Sequence, residues 1–455
     1  ALLVVDGNTT NDTGSYGIYA YAGYSERMEM TGNVCSDAGT CLYARGNNST
    51  SYTNRTEVVG NQVDSAGSFG IYAYSGRSVL IEDNNITGGQ NGIHTYIVLD
   101  GRVVNNVLSG GAGAGINLTA SGNSTMTAHR NTVTGYGGDG LAASNLSSVT
   151  ALYNTIDNVG GDGIHMTVYG GNPFPRVHWN NILGSTNYDA SVHNFRGADL
   201  RRNFWSGTNG EMLAEGYPAE ISELLDIEDD QTKGRIDYRG VENLAIDTNV
   251  IRESRFVWPF EGDVLSSRTI VVEGTAYAGG VGIQLVEVST DGGTTWLPAS
   301  GTDLWTFSFT PVMDGPQTFL CRVTDSGGRV ETTPDSVTVT FDGTVPTTEG
   351  TLPGNETWSG PGPIVLTGDV VIPAGTSLTI EPGTTVLVQP LADNSRGGLD
   401  TSRIELIVEG SLMAQGVGPR SIVMTSDSST PEKGHWYGIR YAGLSRSLNE
   451  LQGLA

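Results

Sequence analysis

The chain is short of positive charge: 24 Lys and Arg stand against 49 Asp and Glu, a net charge of −25 over 455 residues. With no basic stripe to neutralise phosphates, the sequence argues against nucleic acid as a partner. Cations, a basic neighbour or solubility are what such acidity serves. Long apolar runs are missing as well; none approaches the roughly 18 residues a bilayer span requires, so no membrane span is expected in this sequence. Charged residues make up only 16 %, while Gly numbers 64. That profile argues against a mostly helical protein and for short strands joined by tight turns. Cysteine is reduced to three residues. Cys35 and Cys41 flank a short polar loop and can close a small disulfide in an oxidising compartment. Cys321 alternates with Phe319 and Val323 and reads as a buried small hydrophobe. No HExxH, GxSxG or zinc-spaced cysteine set occurs, and the histidines show no ligand spacing. The sequence therefore assigns no catalytic residue.

What is present is a period. Asparagines at 33, 61, 84, 105, 131, 154, 180 and 203 recur 28, 23, 21, 26, 23, 26 and 23 residues apart, mostly as Asn-x-Val/Ile. A Gly-Ile or Gly-Leu pair follows at Gly17-Ile18, Gly70-Ile71, Gly92-Ile93, Gly115-Ile116, Gly140-Leu141 and Gly163-Ile164. A repeat of this length without helical spacing means a stacked β architecture. Apolar side chains point inward, and an Asn at each turn bonds the coils above and below. One rung alone buries too little surface to fold, so the stack is the folding unit.

The coil pattern runs to about residue 205, with Asn203-Phe204-Trp205 as its last rung. The segment 218–230 (PAEISELLDIEDD) has Pro at its start and Ile221, Leu224, Leu225 and Ile227 on one side, which predicts an acidic helix covering the end of the coil. Residues 250–342 alternate apolar and polar in TIVVEGTAY, GIQLVEVS, LWTFSFTP, TFLCRVTD and SVTVTFD, as a β-sandwich does. A Pro/Thr/Gly linker at 343–350 leads to 351–455, again coil-like, with Pro-x-Gly corners.

These strings carry a resemblance. SLTIEPGTTV, VEGSLMAQG and HWYGIRY look like the opening of right-handed parallel β-helix repeat proteins of bacterial and archaeal cell surfaces. NFWSG…PAEISELLDIEDD…GRIDY resembles the closing segment of such helices. VEVSTDGGTTW resembles bacterial immunoglobulin-like modules. The expected chain is thus all-β: a parallel β-helix over 1–242, an immunoglobulin-like sandwich over 250–342, and the opening of a second β-helix over 351–455. Because the opening motif stands last and the first coils begin at once from Ala1, the sequence predicts head-to-tail stacking of copies into a filament, sheath or surface layer. An excised fragment accounts for the same ends. The resemblance implies a secreted, structural or adhesive surface protein, with a polysaccharide-binding or polysaccharide-cleaving β-helix as the alternative; the fold hosts many functions.

Aligning the Gly-Ile rungs exposes one candidate surface. If Ile18, Leu42, Ile71 and Ile93 point inward, Tyr19, Tyr43, Tyr72 and His94 form one outward column, and Tyr21, Arg45, Tyr74 and Tyr96 the next. Rungs repeat at about 4.8 Å, so these rings make a continuous face. Such a face serves binding, cell-surface glycans included, or lateral assembly, or merely stabilises the sheet. Later rungs place Asn117, Thr119, Ala142, Ser144, His165 and Thr167 there.

Asp139 and Asp162 hold equivalent turn positions in GGDGL and GGDGI. Stacked carboxylates can bind Ca²⁺ or act as an acid/base pair beside His165; Asp before Gly is also ordinary turn chemistry, and the turn is the preferred reading. No other cofactor is implied. GYGGDG matches G-x-G-x-x-G, but strand rather than helix follows it, which excludes a dinucleotide site. Ser289, Asp291, Gly293, Thr295 and Trp296 look like an Asp-box hairpin, a structural motif. Sequons at Asn8, Asn11, Asn47, Asn48, Asn54, Asn85, Asn117, Asn123, Asn145 and Asn355 are candidate glycosylation sites.

Overall fold

The computed structural model describes residues 2–452 except 24–26, 47–54, 120–123, 145, 147, 168–174, 194–196, 218, 227–228, 231–232, 235, 247, 249–251, 266–269, 279–281, 343–345, 360–362, 417–420, 429 and 443–450. It divides into two compact units, 1–249 and 250–455.

The first unit is a parallel β-solenoid. Its strands collect into three parallel sheets of ten, nine and nine strands, and each rung contributes one strand to each sheet. Ile18, Leu42, Ile71, Ile93, Ile116, Leu141 and Ile164 stack in register and are buried, as the Gly-Ile alignment predicts. Burying each such side chain is worth about 1.5–3 kcal/mol. Their glycine partners mark close approach: a Cβ on Gly115 would lie 2.2 Å from Val133 Cγ1 and 3.0 Å from Gly140 O.

The asparagines form the expected ladder. Asn33 Oδ1 accepts both the backbone N–H and the side-chain amide of Asn8, each at 3.0 Å, and Asn61 Oδ1 accepts the same pair from Asn33. The pattern continues through Asn84 and Asn106 to Asn131, Asn154, Asn180 and Asn203. One expected member is wrong: Asn106, not Asn105, is in the ladder. The residue before each ladder Asn takes a left-handed turn, with φ between 53° and 65° at 7, 32, 60, 83, 105, 130, 153, 179 and 202. Asn105 occupies that left-handed position, which Asn tolerates better than most residues.

The end of the solenoid also departs from expectation. Residues 218–230 are not helical where described; the helix is Asn209–Glu215, and Leu224–Leu225 is a strand paired in parallel with Ala190–Ser191. The spacing of Ile221 and Leu224 suits a helix face, but the last rung offers an unpaired sheet edge, and backbone pairing there satisfies groups a helix would leave exposed. Trp205, Met212, Ile221, Leu224 and Ile236 close the core.

The second unit holds two kinds of sheet. Two antiparallel-rich sheets of four and five strands enclose a cluster including Phe256, Val272, Val286, Trp305, Phe319, Cys321 and Val339. From Gly350 on, three parallel sheets of four, four and three strands rebuild a coil around Trp358, Leu366, Ile380, Val388 and Leu406. Cys35 and Cys41 are disulfide-bonded, and Cys321 is buried as a thiol. At the Asp-box, Asp291 accepts from Thr295 N and Oγ1; hydrogen bonds from Thr295 and Ser289 hold its carboxyl down at about 2.

Candidate functional site

The third sheet of the solenoid carries the candidate surface on its outer face. In parallel register Tyr19, Tyr43, Tyr72 and His94 align, followed by Asn117, Ala142, His165 and Ser191. The neighbouring column is Tyr21, Arg45, Tyr74, Tyr96, Thr119, Ser144 and Thr167. All eight residues singled out in the sequence are therefore brought together. Tyr19 stacks on Tyr43 with centroids 4.8 Å apart and planes at 12°; Tyr72 meets Tyr43 edge-on at 5.0 Å, and His94 lies 5.1 Å beyond. In the second column Arg45 sits between the Tyr21 and Tyr74 rings at 4.9 and 5.5 Å, and Tyr74 stacks on Tyr96 at 5.8 Å. Such pairs add about 0.5–1.5 kcal/mol beyond area burial.

The band is wider than the sequence indicates. Tyr16 packs on Tyr19 and Tyr43, and Phe69 packs on Tyr72 and His94. Strict alternation from Tyr19 assigns Tyr16 to the inner side, yet it is 47 % exposed. Tyr19, Tyr21 and Tyr96 are also exposed. Burial pushes Tyr72 up to about 12 and lowers His94 to about 4, so these rings are uncharged at neutral pH.

Several rungs along the same face the chemistry changes. His165 Nδ1 is 3.0 Å from Asp162 Oδ2 and 3.1 Å from Ser191 Oγ, and Ser191 donates to the same carboxylate oxygen. His165 Nε2 is 3.1 Å from Thr167 Oγ1, and its ring stacks on His193 at 4.8 Å. Lys233 donates to His193 Nδ1 at 2.8 Å. Burial works against charge on Asp162, but hydrogen bonds from His165 and Ser191 outweigh it and hold the carboxyl below its ordinary value. The bond to Asp162 raises His165.

Asp139, Asp162 and His165 also come close enough to share a metal ion. Both carboxylates also tie rungs together: Asp139 Oδ1 accepts from Asp162 N at 2.9 Å, and Asp162 Oδ1 from Tyr188 N at 3.4 Å. Their spacing gave a signal for the pair; Ser191, His193 and Lys233 gave none, because residues on different rungs or in the closing segment meet only in space.

Among the sequons, Asn11, Asn85 and Asn355 are exposed and Asn117 is half-buried within the face itself. Asn8 is exposed, but its amide nitrogen already donates into the ladder. Asn47, Asn48, Asn54, Asn123 and Asn145 lie outside the described residues.

Fold and face together define a parallel β-helix protein. Residues 47–205 match the family described as right handed beta helix region, and residues 350–453 match the pectate-lyase like beta helix domain. Among solved structures, an engineered protein matches at 19 % identity over 24 % of each chain, with a TM-score of 0.17. The endo-beta-1,4-mannanase from Thermotoga petrophila matches at 11 % identity over 32 % of this chain and 39 % of its own, with a TM-score of 0.19. The chain thus spans 24 % and 39 % of these two, and the likeness carries no functional argument. No curated protein matches.

Proposed function

We propose that this chain is an extracellular, adhesive β-helix protein that binds glycans on the aromatic face of its third sheet. The observation that carries this is the band of stacked rings from Tyr16 to Tyr96, with Tyr16, Tyr19, Tyr21 and Tyr96 exposed. Sugar rings present C–H faces that pack on such surfaces, while tyrosine hydroxyls offer hydrogen bonds at the rim. Arg45 is the lone cation within the two columns and the chain carries −25, so neutral glycans suit the face better than polyanionic ones. The Cys35–Cys41 disulfide supports an oxidising compartment, and the antiparallel unit is read as an immunoglobulin-like spacer.

The test is a pull-down on insoluble neutral polysaccharides, with soluble products assayed in parallel. Wild type is expected to bind, Tyr43→Ala/Tyr72→Ala to lose at least tenfold in affinity, and Tyr43→Phe/Tyr72→Phe to retain most of it. Failure to bind any polysaccharide rejects the reading. Release of soluble sugar that stops in His165→Ala makes the face catalytic instead.

A further inference from the structure

The second coil contains a group that neither the aromatic face nor the sequence motifs account for. The segment 389–404 connects the strands Thr385–Val388 and Glu405–Val408 and folds over Asp369 and Asp393, each only 2 % exposed. Each carboxylate gives one oxygen to the protein. Asp369 Oδ1 accepts from Glu405 N at 2.6 Å. Asp393 Oδ1 accepts from Ser395 Oγ at 2.6 Å, Ser395 N at 3.0 Å and Asp369 N at 3.2 Å. The other oxygens, Asp369 Oδ2 and Asp393 Oδ2, are sealed from solvent and receive no hydrogen bond from any described residue.

The neighbouring acid is provided for. Glu405 accepts from Leu399 N and Asp400 N on one oxygen and from Arg440 on the other. An unpaired buried charge costs several kcal/mol, so the two orphaned oxygens need a counter-charge. Glycines let the backbone approach one of them closely: a Cβ on Gly397 would lie 3.0 Å from Asp369 Oδ2, and one on Gly398 2.8 Å from it and 2.6 Å from Glu405 Oε1.

We propose that the segment 389–404 closes over a divalent-cation site in which Asp369 Oδ2 and Asp393 Oδ2 are ligands. The donors are all hard oxygens, with no thiolate, which selects Ca²⁺ over softer transition metals. Without the ion, burial and the neighbouring Asp393 carboxylate push Asp369 up to about 7. A shared proton is thus the competing occupant.

The experiment is calorimetric titration of the full chain, stripped with chelator and held above pH 7 at physiological ionic strength, with Ca²⁺ alone. One saturable site with Kd of about 10⁻⁴–10⁻³ M or tighter is expected, together with a rise in Tm. Asp369→Asn and Asp393→Asn keep the size of the side chain and the Oδ1 contacts. Each should remove that site while leaving the metal-free Tm equal or higher. Should either variant fail to fold, limited proteolysis of the wild type within 389–404 takes its place, with Ca²⁺ expected to slow cleavage at least tenfold. No saturable binding overturns the proposal. So does a calcium response that persists in both variants, which places the ion elsewhere, for example at Asp139 and Asp162.

Discussion

Adjacent asparagines at 105 and 106 have opposite jobs, and the difference is measurable. Asn106 Oδ1 accepts two buried donors from Asn84, and its own amide reaches Asn131 Oδ1 and the carbonyls of Ile81 and Val104. Asn106→Ala strands those donors and should cost about 3 kcal/mol or more in urea unfolding. Asn105→Ala removes the amide that eases φ 54° and donates to Asp83 on an exposed turn and should cost about 1 kcal/mol. His165 offers a second residue-scale test. Its folded pKa is raised above 6.5 by Asp162. The pair therefore adds stability below pH 6.5, lost as pH rises through the folded value. NMR titration of its ring should show a pKa above 6.5 that drops in Asp162→Asn. His94 has the opposite sign: half-buried and neutral, it favours folding above pH 6.5, and that contribution is lost as pH falls from 6.5 to about 4. Removing it, as in His94→Phe, should flatten the stability profile in that interval.

At the scale of elements, what was readable in the chain followed from period and parity. Alternation around Ile18, Leu42, Ile71 and Ile93 was enough to place eight side chains on one face, because strand side chains must alternate. Parity failed at Tyr16 and Phe69, which lie beyond the point at Gly17 and Gly70 where strict alternation ends. Periodicity also failed at 218–230, where apolar residues three and four apart fit a helix equally well, and only the open edge at Ala190–Ser191 decides for a strand. The Asp162–His165–Ser191 cluster and the Asp369–Asp393 pair were illegible as assemblies for a different reason. Their members are joined by stacking between rungs or by a long connection, and single-chain spacing does not encode that. The disulfide was legible from a spacing of six. It closes a loop within one rung, and reducing it should lower stability by about 2 kcal/mol, read as a shift of the unfolding midpoint under reductant.

Across the molecule, the coil regions at either end of the sequence share one construction, three parallel sheets wound around an apolar core. A rung contacts only its neighbours, so stability accumulates by repetition. The ladder has a mechanical corollary. Its links are of one kind from Asn8 to Asn203, and the lone disulfide joins two cysteines of the same rung, so no disulfide crosses between rungs. Under tension applied across the stack from one end, detaching a rung exposes another of nearly the same strength. The solenoid should therefore yield as a brake does, paying out rungs of 22 to 28 residues at a nearly level force where a globular domain would snap once.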